Sequence, residues 1–147
     1  MILEYETAFP EHLDKLVRIR IAAMRDSLTR VGRFDPDRAR ERFESGFNPE
    51  YTRFINYGGL RVGFVVVKPE ADGLKLDHLY IEPDYQGRGI GGKVLKTIFS
   101  TADQHGLPIA VTALRDSDSN SFYKSHGFKY QDETEWDINY IRLPSAH

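Results

Sequence analysis

Apolar residues in the first part of the chain recur at helical spacing: Leu13, Leu16, Val17, Ile21, Met24 and Leu28 fall on one side of a helix. Pro10 suits its first turn and Gly32 its stop, so the pattern predicts a helix of about five turns. Ahead of it, the alternation from Ile2 to Thr7 predicts a short strand. Asp35-Pro36 reads as an N-cap followed by proline at the first helical position, and Gly46 closes the short helix that follows. Tyr51 to Tyr57 and Leu60 to Lys68 read as strands joined by Gly58-Gly59, the chemistry of a tight hairpin. Glu70-Ala71-Asp72-Gly73 then turns the chain into a strand from Leu74 to Ile81. Val94, Leu95, Ile98, Phe99 and Ala102 predict an amphipathic helix that ends before Gly106 and Pro108. The unbroken apolar run Ile109 to Leu114 predicts a buried strand, Ser117 to Ser125 a short helix ahead of Gly127, and Trp136 to Leu143 a last, alternating strand.

The segment from Leu74 to Leu114 is the one clear candidate for a parallel crossover, and everything before it reads as a meander. The class that follows from this pattern is α/β. No repeat, low-complexity tract or linker interrupts residues 1–147, so one domain is expected. At 40% hydrophobic and 12% aromatic content the chain can bury its own core. With 20 Lys+Arg against 22 Asp+Glu the net charge is -2, which gives no global pull toward nucleic acid or membrane. Cysteine is absent, which removes disulfides, thiolate metal sites and a cysteine nucleophile. No apolar run approaches ~18 residues, and the N-terminus lacks a basic region leading into an apolar one. A soluble, cytoplasmic protein is the expectation. His12, His78, His105, His126 and His147 show no ligand spacing, and no metal is predicted.

The chemistry concentrates in Gln86-Gly87-Arg88-Gly89-Ile90-Gly91-Gly92-Lys93, a glycine-rich turn opening a helix after an apolar strand. Backbone N–H groups at the positive end of a helix dipole suit a phosphorylated ligand. Three motifs fit parts of it. Gly87, Gly89 and Gly92 satisfy the dinucleotide pattern G-x-G-x-x-G, but Pro83 and its neighbours separate them from the strand that should run straight in. Gly87, Gly92 and Lys93 begin a phosphate-binding loop of the G-x-x-x-x-G-K-[ST] type, yet Val94 stands where a magnesium-binding hydroxyl belongs. The pattern Q-x-x-G-x-G after a strand ending in Ile-x-Pro is met at every letter by Gln86, Gly89, Gly91, Ile81 and Pro83.

That last pattern resembles the coenzyme A pyrophosphate loop of the GNAT superfamily of N-acetyltransferases. A second segment strengthens the resemblance: Asn120-Ser121-Phe122-Tyr123-Lys124-Ser125-His126-Gly127-Phe128 is similar to the family's N-x-F-Y-x-x-x-G-F signature, in the expected order along the chain. Seven residues before the tyrosine, where many members carry asparagine, this chain has Asp116. The resemblance implies, for nearly the whole chain, antiparallel N-terminal strands, a central strand-loop-helix site and a final hairpin, in an α+β mixed sheet splayed beside the fourth strand.

It also implies roles for residues. The pantetheine arm of acetyl-CoA would pair with backbone groups of Leu79, Tyr80 and Ile81 like an added strand. The N–H of Leu79 is the candidate to polarise the thioester carbonyl and hold the oxyanion. The pyrophosphate would sit on N–H groups of Arg88, Gly89, Ile90, Gly91, Gly92 and Lys93, with charge from Arg88 and Lys93. Gln86, Gly87 and Asn120 complete the coenzyme set, and Tyr123 matches the family's general acid for the departing thiolate. An amine acceptor arrives mostly as an ammonium of pKa near ~10, so a base or a water chain must take its proton. Asp77 is the sequence candidate, because residues 75, 77 and 79 share one strand face while His78 points the other way.

The reading is acetyl transfer to a primary amine by direct attack in a ternary complex, with a non-catalytic acyl-CoA-binding or sensing domain as the alternative. The acceptor is unidentified. In this superfamily the first two helices commonly wall its site, and here they and their connection carry Arg18, Arg20, Arg25, Arg30, Arg33, Arg38, Arg40 and Arg42. Such density either draws a carboxylate or phosphate or is a solvated face paired with Asp26, Asp35, Asp37 and Glu41. Phe34, Phe47 and Tyr51 line a pocket or fill the core. A monomer or homodimer is expected, with Trp136 to Leu143 the strand available to pair between subunits.

Overall fold

The computed structural model describes every residue except Val31, Arg33, Ala146 and His147, so the readings on Arg33 and His147 lie outside the described residues. Its elements follow in the order β1 (Leu3–Thr7), α1 (Leu13–Arg30), α2 (Pro36–Gly46), β2 (Thr52–Tyr57), β3 (Leu60–Pro69), β4 (Leu74–Ile81), α3 (Ile90–Gln104), β5 (Ile109–Leu114), α4 (Ser119–Ser125), β6 (Lys129–Glu133) and β7 (Asp137–Arg142). Single 3-10 turns opened by proline precede α1, β2 and α3. The seven strands hydrogen-bond in the order β1-β2-β3-β4-β5-β7-β6. β4 and β5 run parallel, whereas β1–β2, β2–β3, β5–β7 and β6–β7 are antiparallel, which makes the sheet mixed as expected.

Contacts divide the chain into two compact units, one of residues 1–66 and 78–90, the other of residues 67–77 and 91 onward. In the first, Leu16, Val17 and Ile19 of α1 and Phe43 of α2 are buried with Phe54, Phe64 and Val66 of β2 and β3. Local chemistry sets the helix ends. The His12 Nδ1 accepts from the Phe9 N–H at 3.0 Å ahead of α1, and Gly32, at φ +72, donates its N–H to the Thr29 carbonyl behind it. Asp35 caps α2 by accepting from the Arg38 N–H at 3.2 Å. Gly58 and Gly59 both have positive φ, +60 and +79, as a two-residue hairpin of the I′ kind requires.

In the second unit α3, β5, α4, β6 and β7 surround Leu95, Ala102, Ile109, Val111, Tyr123, Phe128 and Tyr140, all buried. A largely shielded ion pair lies beside them. Arg142 at the end of β7 donates to Asp103 of α3 through both Nη atoms, 2.9 and 3.1 Å, and its Cζ stands 3.9 Å from the centre of the Phe99 ring.

The final hairpin is present, with one strand that the hydrophobic pattern misses, and one sequence reading is corrected. The strand over Lys129–Glu133 is absent from the hydrophobic pattern because all five of its residues are exposed and polar or amphipathic. The last strand is not available for pairing between subunits: β7 has β5 on one side and β6 on the other, so β6 is the outer strand.

Candidate active site

The glycine loop is built by backbone needs rather than by crowding. Gly87 and Gly89 have φ of +77 and +81, the left-handed region that disfavours side chains. A Cβ on Gly87 would meet no atom within 4 Å, and one on Gly89 only the Cε of Met1 at 4.0 Å, so the space beside them is open. Gln86 turns inward on the chain itself: its Nε2 donates to the Ile81 carbonyl at 2.9 Å, closing the link from β4 to the loop. Arg88 is exposed, with its Cζ 5.0 Å from the centre of the Tyr85 ring. α3 starts at Ile90, whose side chain is buried. The first four N–H groups of a helix lack intrahelical acceptors, and here they centre on Gly89 to Gly92.

The next two glycines answer a different demand. A Cβ on Gly91 would stand 3.0 Å from Phe122 Cζ, and one on Gly92 would stand 2.9 Å from His126 Nε2. α3 therefore meets α4 through its missing side chains. The His126 ring is held for this contact by its Nδ1, 2.8 Å from the Phe122 carbonyl.

Tyr123 follows Phe122 in α4 and is buried, with ring centres of Phe122 and Phe128 each 5.4 Å from its own. Asn120, expected at the coenzyme, spends its amide on the protein. Its Nδ2 donates to the carbonyls of Leu114 at 2.9 Å and Ser117 at 3.0 Å, and its Oδ1 accepts from the buried Tyr140 hydroxyl at 2.7 Å. This tethers α4 to β5 and β7. Burial pushes the Tyr140 hydroxyl above its ordinary pKa, which keeps it a donor. Asp116, in the turn between β5 and α4, has φ +66, a conformation that Asp and Asn tolerate better than other side chains.

On β4, the parallel ladder to β5 begins at Leu74↔Ile109 and ends at Leu76↔Val111. Leu79 lies beyond its last pair. Asp77 forms an ion pair with Lys68 Nζ at 3.0 Å. In the first unit, His78 and Tyr80 share an aromatic face: His78 is 5.1 Å from Phe43, Tyr80 is 5.5 Å from Phe64, and His78 Nδ1 is 3.3 Å from the Tyr80 hydroxyl. Phe47 stacks on Phe43 at 5.7 Å and joins Tyr51 at the edge of the core, so both serve packing. Phe34 instead lies under Arg25, 5.1 Å from its Cζ. Thus the first unit carries Leu79, Tyr80, Ile81 and Gln86 to Ile90, while Asp77, Gly91 to Lys93, Asn120 and Tyr123 belong to the second.

Two residues that position the site escape a reading of motifs. Gly63 of β3 lies so close to β4 that a Cβ there would stand 2.1 Å from the Tyr80 carbonyl oxygen. A lone glycine inside a strand pattern is the available signal for such an approach. His126 lacks ligand spacing, but its place in the second motif marks a packing role. Among the described residues no group of three or more His, Cys, Asp or Glu side chains is arranged to hold a metal ion, and no helix is long and apolar enough to cross a membrane.

A sequence model of the acetyltransferase (GNAT) domain matches residues 50–130. No curated protein sequence matches the chain significantly. Among solved structures, the PaiA N-acetyltransferase of Thermoplasma acidophilum in complex with coenzyme A superposes with a TM-score of 0.78 at 18% identity, over 97% of this chain and 99% of that one. An acetyltransferase from Thermus thermophilus gives 0.75 at 20% identity over 97% of each chain. The ribosomal-protein-S18-alanine N-acetyltransferase of Escherichia coli gives 0.72 at 16% identity, over 99% of this chain and 97% of that one. At these identities the structures share the fold.

Proposed function

Since the chain belongs to the GNAT acetyltransferase family, we propose that it is a single-domain N-acetyltransferase that moves the acetyl group of acetyl-CoA to a primary amine by direct attack in a ternary complex. The observation that carries the reading is the loop: two glycines at positive φ with open space beside them lead into the first turn of α3. The residues present fit coenzyme A. The N–H groups of the first turn of α3, from Gly89 to Gly92, would receive the pyrophosphate, while the exposed Arg88 and Lys93 would add positive charge. The solved relative in complex with coenzyme A supports the same assignment.

When bound, acetyl-CoA supplies an activated thioester. The chain's part is to orient and to move protons. Leu79, past the end of the β4–β5 ladder, would offer its N–H to the thioester carbonyl, with Tyr80 and Ile81 as further backbone partners of the pantetheine arm. Removal of the acceptor's proton falls to Asp77 or to a water chain. Tyr123, buried in α4 and steadied by the Asn120 tether, would return a proton to the departing thiolate.

The test is steady-state thiol release from acetyl-CoA with an amine acceptor, run on the native protein, Tyr123→Phe and Asp77→Asn. Loss of the acid is expected to lower kcat by ~100-fold or more while the coenzyme A Kd stays within about twofold. Full activity in Tyr123→Phe removes that role, and full activity in Asp77→Asn leaves the water chain.

A further inference from the structure

We propose that Arg20 of α1 binds a carboxylate on the acceptor, so that the amine acetylated is one that also carries a carboxylate. The inference rests on the acetyltransferase reading and names its substrate class. Arginines on the two helices have different fates. Arg18, Arg25, Arg38 and Arg42 are exposed, and the half-buried Arg40 is matched by Asp14 at 2.5 Å and Glu44 at 3.7 Å. Arg20 is half-buried too, but no carboxylate among the described residues pairs with it. Its Nη1 donates to the Ala39 carbonyl at 2.8 Å, its Nε is buried with no hydrogen-bond partner, and its Cζ stands 6.0 Å from the centre of the Tyr80 ring.

That arrangement leaves one edge of the guanidinium, Nε and Nη2, without an acceptor. A buried donor left without a partner costs free energy unless a ligand satisfies it. The planar fork matches the two oxygens of a carboxylate. A singly charged anion also balances the single cation, whereas a phosphate dianion would leave excess charge beside the Tyr80 ring. Tyr80 fixes the connection to the chemistry. It is the neighbour of Leu79 in β4, so a carboxylate at Arg20 holds the acceptor on the element that is to meet the thioester.

The experiment compares amines that differ only at the anionic group: free amino acids, their primary amides, the decarboxylated amines, the aminoalkyl phosphonates and dipeptides. Thiol release is measured with the native protein, Arg20→Gln and Arg20→Lys. The native protein is expected to favour acids over matching amides by at least ~10-fold in kcat/KM, chiefly through KM. Arg20→Gln abolishes that preference with the KM for acetyl-CoA and the rate on amides retained, and Arg20→Lys keeps part of it. Free amino acids favoured over dipeptides place the carboxylate beside the reacting amine, and the reverse places it farther along the acceptor. An equal or higher rate on amides, decarboxylated amines or phosphonates in the native protein overturns the inference but leaves the enzyme intact, as does a preference that survives in Arg20→Gln. No release with any amine overturns both. The native comparison alone decides the matter if Arg20→Gln does not fold.

Discussion

Gly91 in the first turn of α3 faces the ring of Phe122 in α4 so closely that a Cβ would lie 3.0 Å from Phe122 Cζ, and the ring would have to give. The two motifs that stand apart in the sequence thus meet here and, next to it, at Gly92 and His126, and the helix bearing Tyr123 packs on the helix whose N-terminus is to hold the pyrophosphate. Gly to Ala in a helix should by itself add about 1 kcal/mol. Gly91→Ala is expected instead to give no gain in Tm and to weaken coenzyme A binding by ~10-fold or more, and Phe122→Leu in the same chain restores both. Thermal unfolding and titration calorimetry check this. A stabilised Gly91→Ala with native affinity would contradict it.

Gly63 admits the carbonyl of Tyr80, which a Cβ would approach to 2.1 Å. Because the obstacle is backbone, the strand carrying Leu79 must shift. Gly63→Ala is expected to cost about 1–3 kcal/mol in urea unfolding and to weaken coenzyme A binding. Gly58→Ala, at φ +60 with open space around it, should cost about 1 kcal/mol through conformation alone and leave binding unchanged.

Asp103 and Arg142 form an ion pair whose side chains are only 10% and 12% exposed. Removing one partner strands the other, so Asp103→Ala should cost about 3–5 kcal/mol. Asp103→Asn, which keeps a hydrogen bond to the guanidinium, should cost less. Urea unfolding of both variants separates charge from packing.

Glu6 accepts from Arg61 through both oxygens, 3.0 and 2.7 Å, and from Asn56 at 3.2 Å. These bonds, that from Arg61 first, hold its carboxyl at about 2 against an ordinary value of 4.5. A depressed folded-state pKa means that its stabilisation is complete above the unfolded value and is lost as pH falls from about 4.5 toward about 2. Glu6 is 38% exposed, so solvent screening keeps the effect small. Glu6→Gln should flatten the acid side of the stability curve in that window and leave its slope near neutrality unchanged. An unaltered acid slope contradicts the assignment.

What was legible in the sequence was what neighbours in the chain decide. Asp35 caps α2 and Gly58-Gly59 makes the hairpin because each demand is local. What escaped depends on distant partners. β6 carries no apolar alternation, and the interior place of β7 follows only once β6 pairs with it. Asn120 matched a coenzyme motif, yet its amide is occupied by Leu114, Ser117 and Tyr140. Arg20 and Arg40 look alike as letters. Only the packing of α1 on α2 gives Asp14 to one and withholds a carboxylate from the other.

The most direct test of the central claim is a stoichiometry: coenzyme A thiol released against N-acetylated amine formed, followed by mass spectrometry over a panel of amines. The account predicts one N-acetyl product per thiol, with no acetyl group left on the protein. Tight binding of coenzyme A without thiol release on any amine would contradict it and make the chain an acyl-CoA-binding module.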